Sequence, residues 1–450
     1  MIPQFFQTST TSQGWLRLLL MGTAALLFTA CVAVTPPPAV TPQSVPTEQP
    51  AATATPISTA TPTSTPAAPA APAAPAADVA ELPQIFADIL GITPVPDSDS
   101  WQSVEVLPLT PELWATFTTG LSYNDPPKKH AVAIFTQKDG SWVELGQVEL
   151  ECSGFVADDS VQQVSLDPAS VWLTVDSGAG AHSGCFDLLR WDGSNLTIAV
   201  SGFNSFPGVG EVRDVDGDGQ PEVVLNATDP YVFCYACGVR LFGLTIQRWD
   251  GTQFLPVELT SLPEDTTADL REANNRAVEL AGASLFPDAL PLIDEALSLA
   301  PKDERVYWNS QLIHALAQGR KEYTESTPYP LLNWMFYGDW AAAQAELNAY
   351  TPAQIFDPEM ALLQETAASG WEDTLADWIL QFSGPALAAE PELAPAWFLQ
   401  GWAKFLKDPS DPGVLADVKE AARLAPDEQL FQDAVEYLSS QSFSQSASNG

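Results

Sequence analysis

VRDVDGDGQPEVVL, residues 212–225, and GVRLFGLTIQRWDGTQFLPVEL, residues 238–259, decide how the first half of the chain folds. Both set short β-branched and aromatic runs on either side of a polar turn. That is the pattern of paired strands; a helix would repeat its apolar residues every three or four positions. The second stretch turns at Asp250-Gly251, and Asp-Gly suits a tight hairpin because both central residues accept positive φ at low cost. Outward along the chain, HAVAIFTQKDGSWVELGQVEL and GCFDLLRWDGSNLTIAVSG repeat the layout, with turns at Asp139 and Asp192 and spacings in the fifties. A second strand pair precedes each, in the order VEVLPLTPELWATF, VQQVSLDPASVWLTV and VRDVDGDGQPEVVL. Hairpin plus hairpin is the content of one β-propeller blade, but propellers typically close with about four blades or more. Three units therefore leave a propeller-like open array, a small barrel and a sandwich open, with the array slightly ahead.

The third unit carries an acidic ladder, Asp214-Val215-Asp216-Gly217-Asp218-Gly219-Gln220-Pro221-Glu222. Oxygen ligands at alternate positions converge when a loop coils round a cation, and calcium takes six to eight hard oxygens at roughly 2.3–2.6 Å. Asp214, Asp216 and Asp218 are expected to supply side-chain oxygens, Gln220 a backbone carbonyl and Glu222 the closing carboxylate. Magnesium demands a tighter octahedral shell and fits less well. An acidic hairpin turn without metal is the plain alternative. The spacing is shorter than an EF-hand loop, and no flanking helix is signalled.

DVDGDGQPEVVL, set between strands, resembles the calcium loop of FG-GAP and VCBS repeats, found in integrin-type propellers and bacterial surface proteins. The resemblance implies a Ca2+ site whose role is structural. The equivalent turns at Leu109 to Glu112 and Leu166 to Ser170 lack the ladder.

Near residue 265 the periodicity changes to helical. RAVELAGASLFPDALPLIDEALSLAPKDERVYW, GPALAAEPELAPAWFLQGWAKF and DVKEAARLAPDEQLF each place an alanine five positions before a proline: Ala296 with Pro301, Ala386 with Pro391, Ala421 with Pro426. Small alanines let helices approach, and the proline stops one helix and begins the turn to the next. Tyr307 and Trp397 follow Pro301 and Pro391 by the same interval, and Gly401 follows Trp397. These residues resemble tetratricopeptide (TPR) arrays, with Ala289, Ile293, Ala296, Val418 and Ala421 at second-helix packing positions. A TPR-like solenoid implies a concave face for a protein or peptide partner. A plain helical bundle is the alternative.

The chain opens with MIPQFFQTSTTSQGWLRLLLMGTAALLFTAC, in which Arg17 precedes an apolar run from Leu18 to Ala30. The layout is that of a signal peptide, and the run falls short of the ~20 apolar residues that span a bilayer. Phe28-Thr29-Ala30-Cys31 resembles the lipobox of bacterial lipoproteins, which implies lipidation of Cys31, a membrane anchor and an extracytoplasmic address. Cleavage after Ala33 is the alternative. The Pro/Thr/Ala-rich segment beyond Cys31 cannot bury a core and is expected as a disordered, extended stalk. The expected organisation is signal peptide 1–30, anchor and stalk 31–80, β domain 81–265, TPR-like repeats 266–440 and a disordered tail 441–450.

Export makes disulfides the default for Cys152, Cys185, Cys234 and Cys237. Local pairs, Cys152 with Cys185 and Cys234 with Cys237, need the least reorganisation. Zinc lacks a second ligand pair, since His130, His182 and His314 are scattered, and the flanks YVFCYACGVRLF read as strand edges and a hairpin, not a redox helix. A net charge of −39 opposes nucleic-acid binding, which calls for clustered Lys and Arg.

No enzyme motif stands out. The stretch Ser177 to Gly184 is glycine-rich but lacks the ending of a phosphate loop and precedes a strand, so a hairpin loop is expected. Trp114, Trp142, Trp172, Trp191 and Trp249 could stack on sugars, yet aromatics beside turns more often pack within a sheet. Trp334, Trp340, Trp371, Trp378 and Trp397 are expected to fill grooves between helices. The sequence thus points to a non-enzymatic, extracytoplasmic interaction scaffold with a calcium-stiffened β module. A carbohydrate-binding or hydrolytic site in the β region is the rival.

Overall fold

The computed structural model describes residues 79–95, 100–122, 129–150, 160–178, 182–206 and 208–448. The expected signal segment, Cys31, the expected stalk up to residue 78 and Cys152 lie outside the described residues. The hairpin pattern folds as three separate four-stranded antiparallel meanders. The first holds β1 (Ser100–Pro108), β2 (Leu113–Ser122), β3 (Ala131–Lys138) and β4 (Ser141–Glu149). The second holds β5 (Val161–Val164), β6 (Val171–Gly178), β7 (Gly184–Trp191) and β8 (Leu196–Asn204). The third holds β9 (Gly210–Arg213), β10 (Glu222–Asn226), β11 (Leu244–Trp249) and β12 (Phe254–Pro256). Three ladders that do not join are not one closed barrel.

The repeat extends to irregularities. In the first sheet the register of β3 on β4 slips between Ile134 and Phe135, and in the second that of β7 on β8 slips between Leu188 and Leu189. A bulge at the equivalent place adds twist to each sheet. The Asp-Gly turns are less uniform. At the first, Asp139 and Gly140 both take positive φ, 52° and 79°. At the other two only the glycine does, and Asp192 and Asp250 instead accept backbone N–H bonds from the two residues after the glycine. The side chain there does what the backbone does at Asp139.

Neighbouring sheets share cores in series. Val132 and Ile134 of the first pack with Leu173, Leu189 and Trp191 of the second. Trp172, Phe186 and Leu188 of the second pack with Val209 and Val223 beside the third. A short helix that the sequence pattern did not announce, α1 (Leu82–Leu90), covers the first sheet; Phe86 stacks on Phe135 with ring centroids 4.2 Å apart.

The second half is helical: α2 (Ala268–Gly282), α3 (Phe286–Leu299), α4 (Glu304–Ser326), α5 (Pro330–Tyr337), α6 (Trp340–Leu347), α7 (Pro352–Ile355), α8 (Glu372–Ala389), α9 (Ala394–Lys407), α10 (Pro412–Leu424) and α11 (Gln429–Ser448). The last helix runs on into the segment expected as a tail. Ala296, Ala386 and Ala421 are fully buried, and each accepts the N–H of the residue four positions on: Ala300, Glu390 and Ala425. Those three capping residues share one backbone conformation, with φ/ψ of −139°/66°, −129°/82° and −125°/75°. A proline follows each one, and its ring keeps the preceding residue out of the α region. Three distant turns are thus closed by the same device. Gly401 is the close-approach point of α9 and α10, where an added Cβ would meet Val418 at 2.9 Å. Contacts also join non-consecutive helices: Arg276 of α2 donates to the carbonyl of Ala389, the last residue of α8, and the Trp402 indole of α9 to the Ile355 carbonyl of α7.

The expected boundary near residue 265 is not a gap. The segment around the two cysteines forms a loop with one 3-10 turn, Tyr235–Cys237, where strand edges and a hairpin were expected. Val232, Phe233 and Val239 from this loop are buried in the helical core, and the Trp378 indole donates to the Val232 carbonyl at 3.0 Å. Apolar residues that have a helical core to enter gain more there than along an exposed sheet edge. Val224 and Ile246 of the third sheet also pack against Trp308 and Leu312 of α4.

Candidate metal centre

The acidic ladder is the turn between β9 and β10. Gly217 and Gly219 both take positive φ, 76° and 88°, which bends the chain tightly enough for alternate side chains to turn inward. Asp214 accepts the Gly217 N–H at 2.6 Å and the Gly219 N–H at 3.0 Å; Asp216 accepts from Asp218 and Asp218 from Gln220. Each aspartate thereby fixes the loop that positions the next. One carboxylate oxygen from each of Asp214, Asp216 and Asp218 lies within 4.8 Å of the others. This is the one such cluster among the described residues.

One expected ligand, Glu222, stands outside this group. Glu222, the first residue of β10, is buried, and its carboxylate accepts the Val215 N–H at 2.9 Å. It closes the base of the loop by hydrogen bonding and lies outside the aspartate triad, because strand pairing with Arg213 fixes its backbone. Gln220 is exposed and offers its own N–H to Asp218. The Glu222 carboxyl is held above its usual range, first by burial and then by the charges of Asp216 and Asp218. The Asp216 carboxyl is raised by burial, then by Asp218 and Asp214. Like charges held together resist ionisation, and a bound cation relieves that cost. Three carboxylates in a glycine-bent loop could hold a hard cation.

Helix α4 supports the loop from outside. The Tyr307 hydroxyl donates to the Asp216 carbonyl, and Arg248, whose charge eases the ionisation of Asp216 and Glu222, is held by Glu304 and stacks 4.8 Å over the Trp308 ring. Nothing in the local motif announces these supports, which come from about ninety residues downstream in the case of Tyr307.

In the equivalent turns a single side chain replaces the ladder. Thr110 accepts from Glu112 and Leu113, and Asp167 accepts from Ala169 and the Trp172 indole. Elsewhere, Cys234 and Cys237 form the expected local disulfide, with Cα atoms 5.1 Å apart. Cys185 is disulfide-bonded as well. The histidines stay apart: His130 contacts Thr119, His182 lies against Tyr235 and His314 pairs with Asp294. Strands β6 and β7 pair antiparallel as far as Gly178 and Gly184, and residues 179–181 of the glycine-rich stretch lie outside the described residues.

The tryptophans considered for sugar stacking are packed. Trp172 and Trp191 are buried, Trp114 and Trp142 pack around Phe86, and Trp249 meets Trp172 edge-on at 5.0 Å. In the helical half Trp334, Trp340, Trp378 and Trp397 belong to the core, while Trp371 is exposed. Among the described residues no helix is long and apolar enough to cross a membrane. No family model and no curated protein matches the chain.

Proposed function

We propose that the chain is a non-enzymatic extracytoplasmic lipoprotein, anchored through Cys31, that serves as a protein-interaction scaffold. In this reading the β region is propeller-like and carries a structural calcium ion, and the helical region is TPR-like and receives a protein or peptide. One observation carries it: the carboxylates of Asp214, Asp216 and Asp218 converge within 4.8 Å. Unit charges that close repel by on the order of 1 kcal/mol per pair in water, and by more where solvent is partly excluded. A divalent cation turns that repulsion into attraction and locks the turn. The helical assignment draws on the shared geometry of the turns at Pro301, Pro391 and Pro426.

Calorimetric titration of the full chain with calcium tests the site. Wild type should give a saturable heat that Asp216→Ala and Asp218→Ala abolish, with magnesium binding more weakly. Equal heats from all three proteins would dispose of the metal. Mass spectrometry of the mature N-terminus tests the anchor, because a chain starting unmodified at Val34 would remove it. The sugar-stacking role considered for Trp114, Trp142, Trp172, Trp191 and Trp249 finds no support in their packed positions.

A further inference from the structure

A cleft of about 550 Å³ opens between β8 of the second sheet and β10, with the loop after it, of the third. Two aromatic side chains line it and stay in water: Phe203 is 61% exposed and Tyr231 52%. They are among the most exposed large apolar residues described, and here they flank one opening. The wall between them mixes apolar residues, Val209, Leu225 and Pro230 among them, with polar ones. Asn204 and Thr228 are buried, Thr245 and Asp229 are more open, and all four line the cleft.

The opening is set before any ligand arrives. The Asn204 amide donates to the carbonyls of Asn226, at 2.8 Å, and Thr228, at 3.1 Å, so the floor crosses from one sheet to the next. Asp229 accepts the Tyr231 N–H at 2.8 Å. The loop carrying Tyr231 is fixed by the Cys234–Cys237 disulfide, by the burial of Val232 and Phe233, and by Arg240, which donates to the Pro230 carbonyl at 2.7 Å. A pre-organised site loses little entropy on binding.

We propose that this cleft binds a neutral pyranose unit of a glycan. A sugar ring has an apolar C–H face to lay on Phe203 and Tyr231, and a rim of hydroxyls for Thr245 and Asp229. An acyl chain or an apolar helix would cover the Thr245 hydroxyl and the Asp229 carboxylate and offer neither a hydrogen-bond partner. Nucleic acid or a sulfated glycan would meet Asp229 and a chain of net charge −39. The site is independent of the acidic loop and of the helical partner surface, so each can fail alone.

The test is the full chain, labelled, on an array of neutral glucan-, mannan-, galactan- and chitin-derived oligosaccharides beside sulfated ones, followed by calorimetry with the best binder. Saturable binding to a neutral series is expected. Phe203→Ala and Tyr231→Ala should each weaken it about ten-fold, as loss of a stacked ring does, and Tyr231→Phe should change it little. Tyr350→Ala, an exposed aromatic in the helical half, should have no effect. Both cleft positions are exposed, so the variants should melt with wild type. No saturable binding, binding confined to sulfated glycans, or binding that both cleft variants leave intact would overturn the proposal.

Discussion

The Tyr307 hydroxyl on α4 donates a 2.7 Å hydrogen bond to the backbone carbonyl of Asp216, in the middle of the acidic loop. A helix from the second half of the chain thus holds a turn in the first. Tyr307→Phe keeps the ring and deletes the bond, and should lower stability by about 1 kcal/mol, the net worth of one hydrogen bond. Urea denaturation would measure it. Unchanged stability would mean that the helix does not seat the loop.

Arg320 plays a similar part deeper in the joint. Its guanidinium donates to the Phe242 carbonyl at 3.0 Å and to the Phe336 carbonyl at 2.7 Å, and lies over Phe286 and Phe382. Burial draws its pKa down to about 10, so it remains charged at neutral pH. Arg320→Met should cost about 3 kcal/mol, because two carbonyls lose charged donors. Arg320→Lys should recover little, since a single ammonium lacks the planar fork that spans both. Full rescue by lysine in thermal melts would show that charge alone matters.

The contact at Gly401 gives a packing prediction. Gly401→Ala would push a methyl group to 2.9 Å from Val418 and 3.1 Å from the Val414 carbonyl. Overpacking of this kind costs about 1–3 kcal/mol. Val418→Ala in the same chain should return part of the loss, which a double-mutant cycle would reveal as coupling between the two positions.

His130 supplies the pH dependence. Burial lowers its pKa below the ordinary 6.5, so the unfolded chain binds more protons than the folded one between the two values. The stability it contributes is complete above 6.5 and is lost as pH falls through the lowered folded value. His130→Asn should flatten this part of the profile. Parallel curves for wild type and variant between about pH 5 and 7.5 would show that the ring does not titrate as argued.

Features that the sequence made legible are local ones. Each Asp-Gly marks a hairpin, each alanine before a buried turn and its proline marks a helix end, and the alternate aspartates from Asp214 to Asp218 do converge. Residues whose neighbours are distant in sequence were not legible. Glu222 completes the acidic spacing, yet strand pairing turns it to Val215. The cysteine loop reads as a hairpin, yet its apolar residues have a helical core to enter. Phe203 has a faint signal, an aromatic on the outward alternation of β8, but only the arrival of Tyr231 on the loop after β10 gives it a companion.

The burial of Val232, Phe233 and Val239 among the helices reaches beyond the local fold. A fragment ending near residue 265 would carry these three side chains into water with nothing to cover them, and would invite aggregation. The helical half alone would keep the hole they fill. Despite two different periodicities, the described part of the chain should therefore absorb heat in one calorimetric transition, and a natural recombination event that swapped either half would have to replace the joint as well.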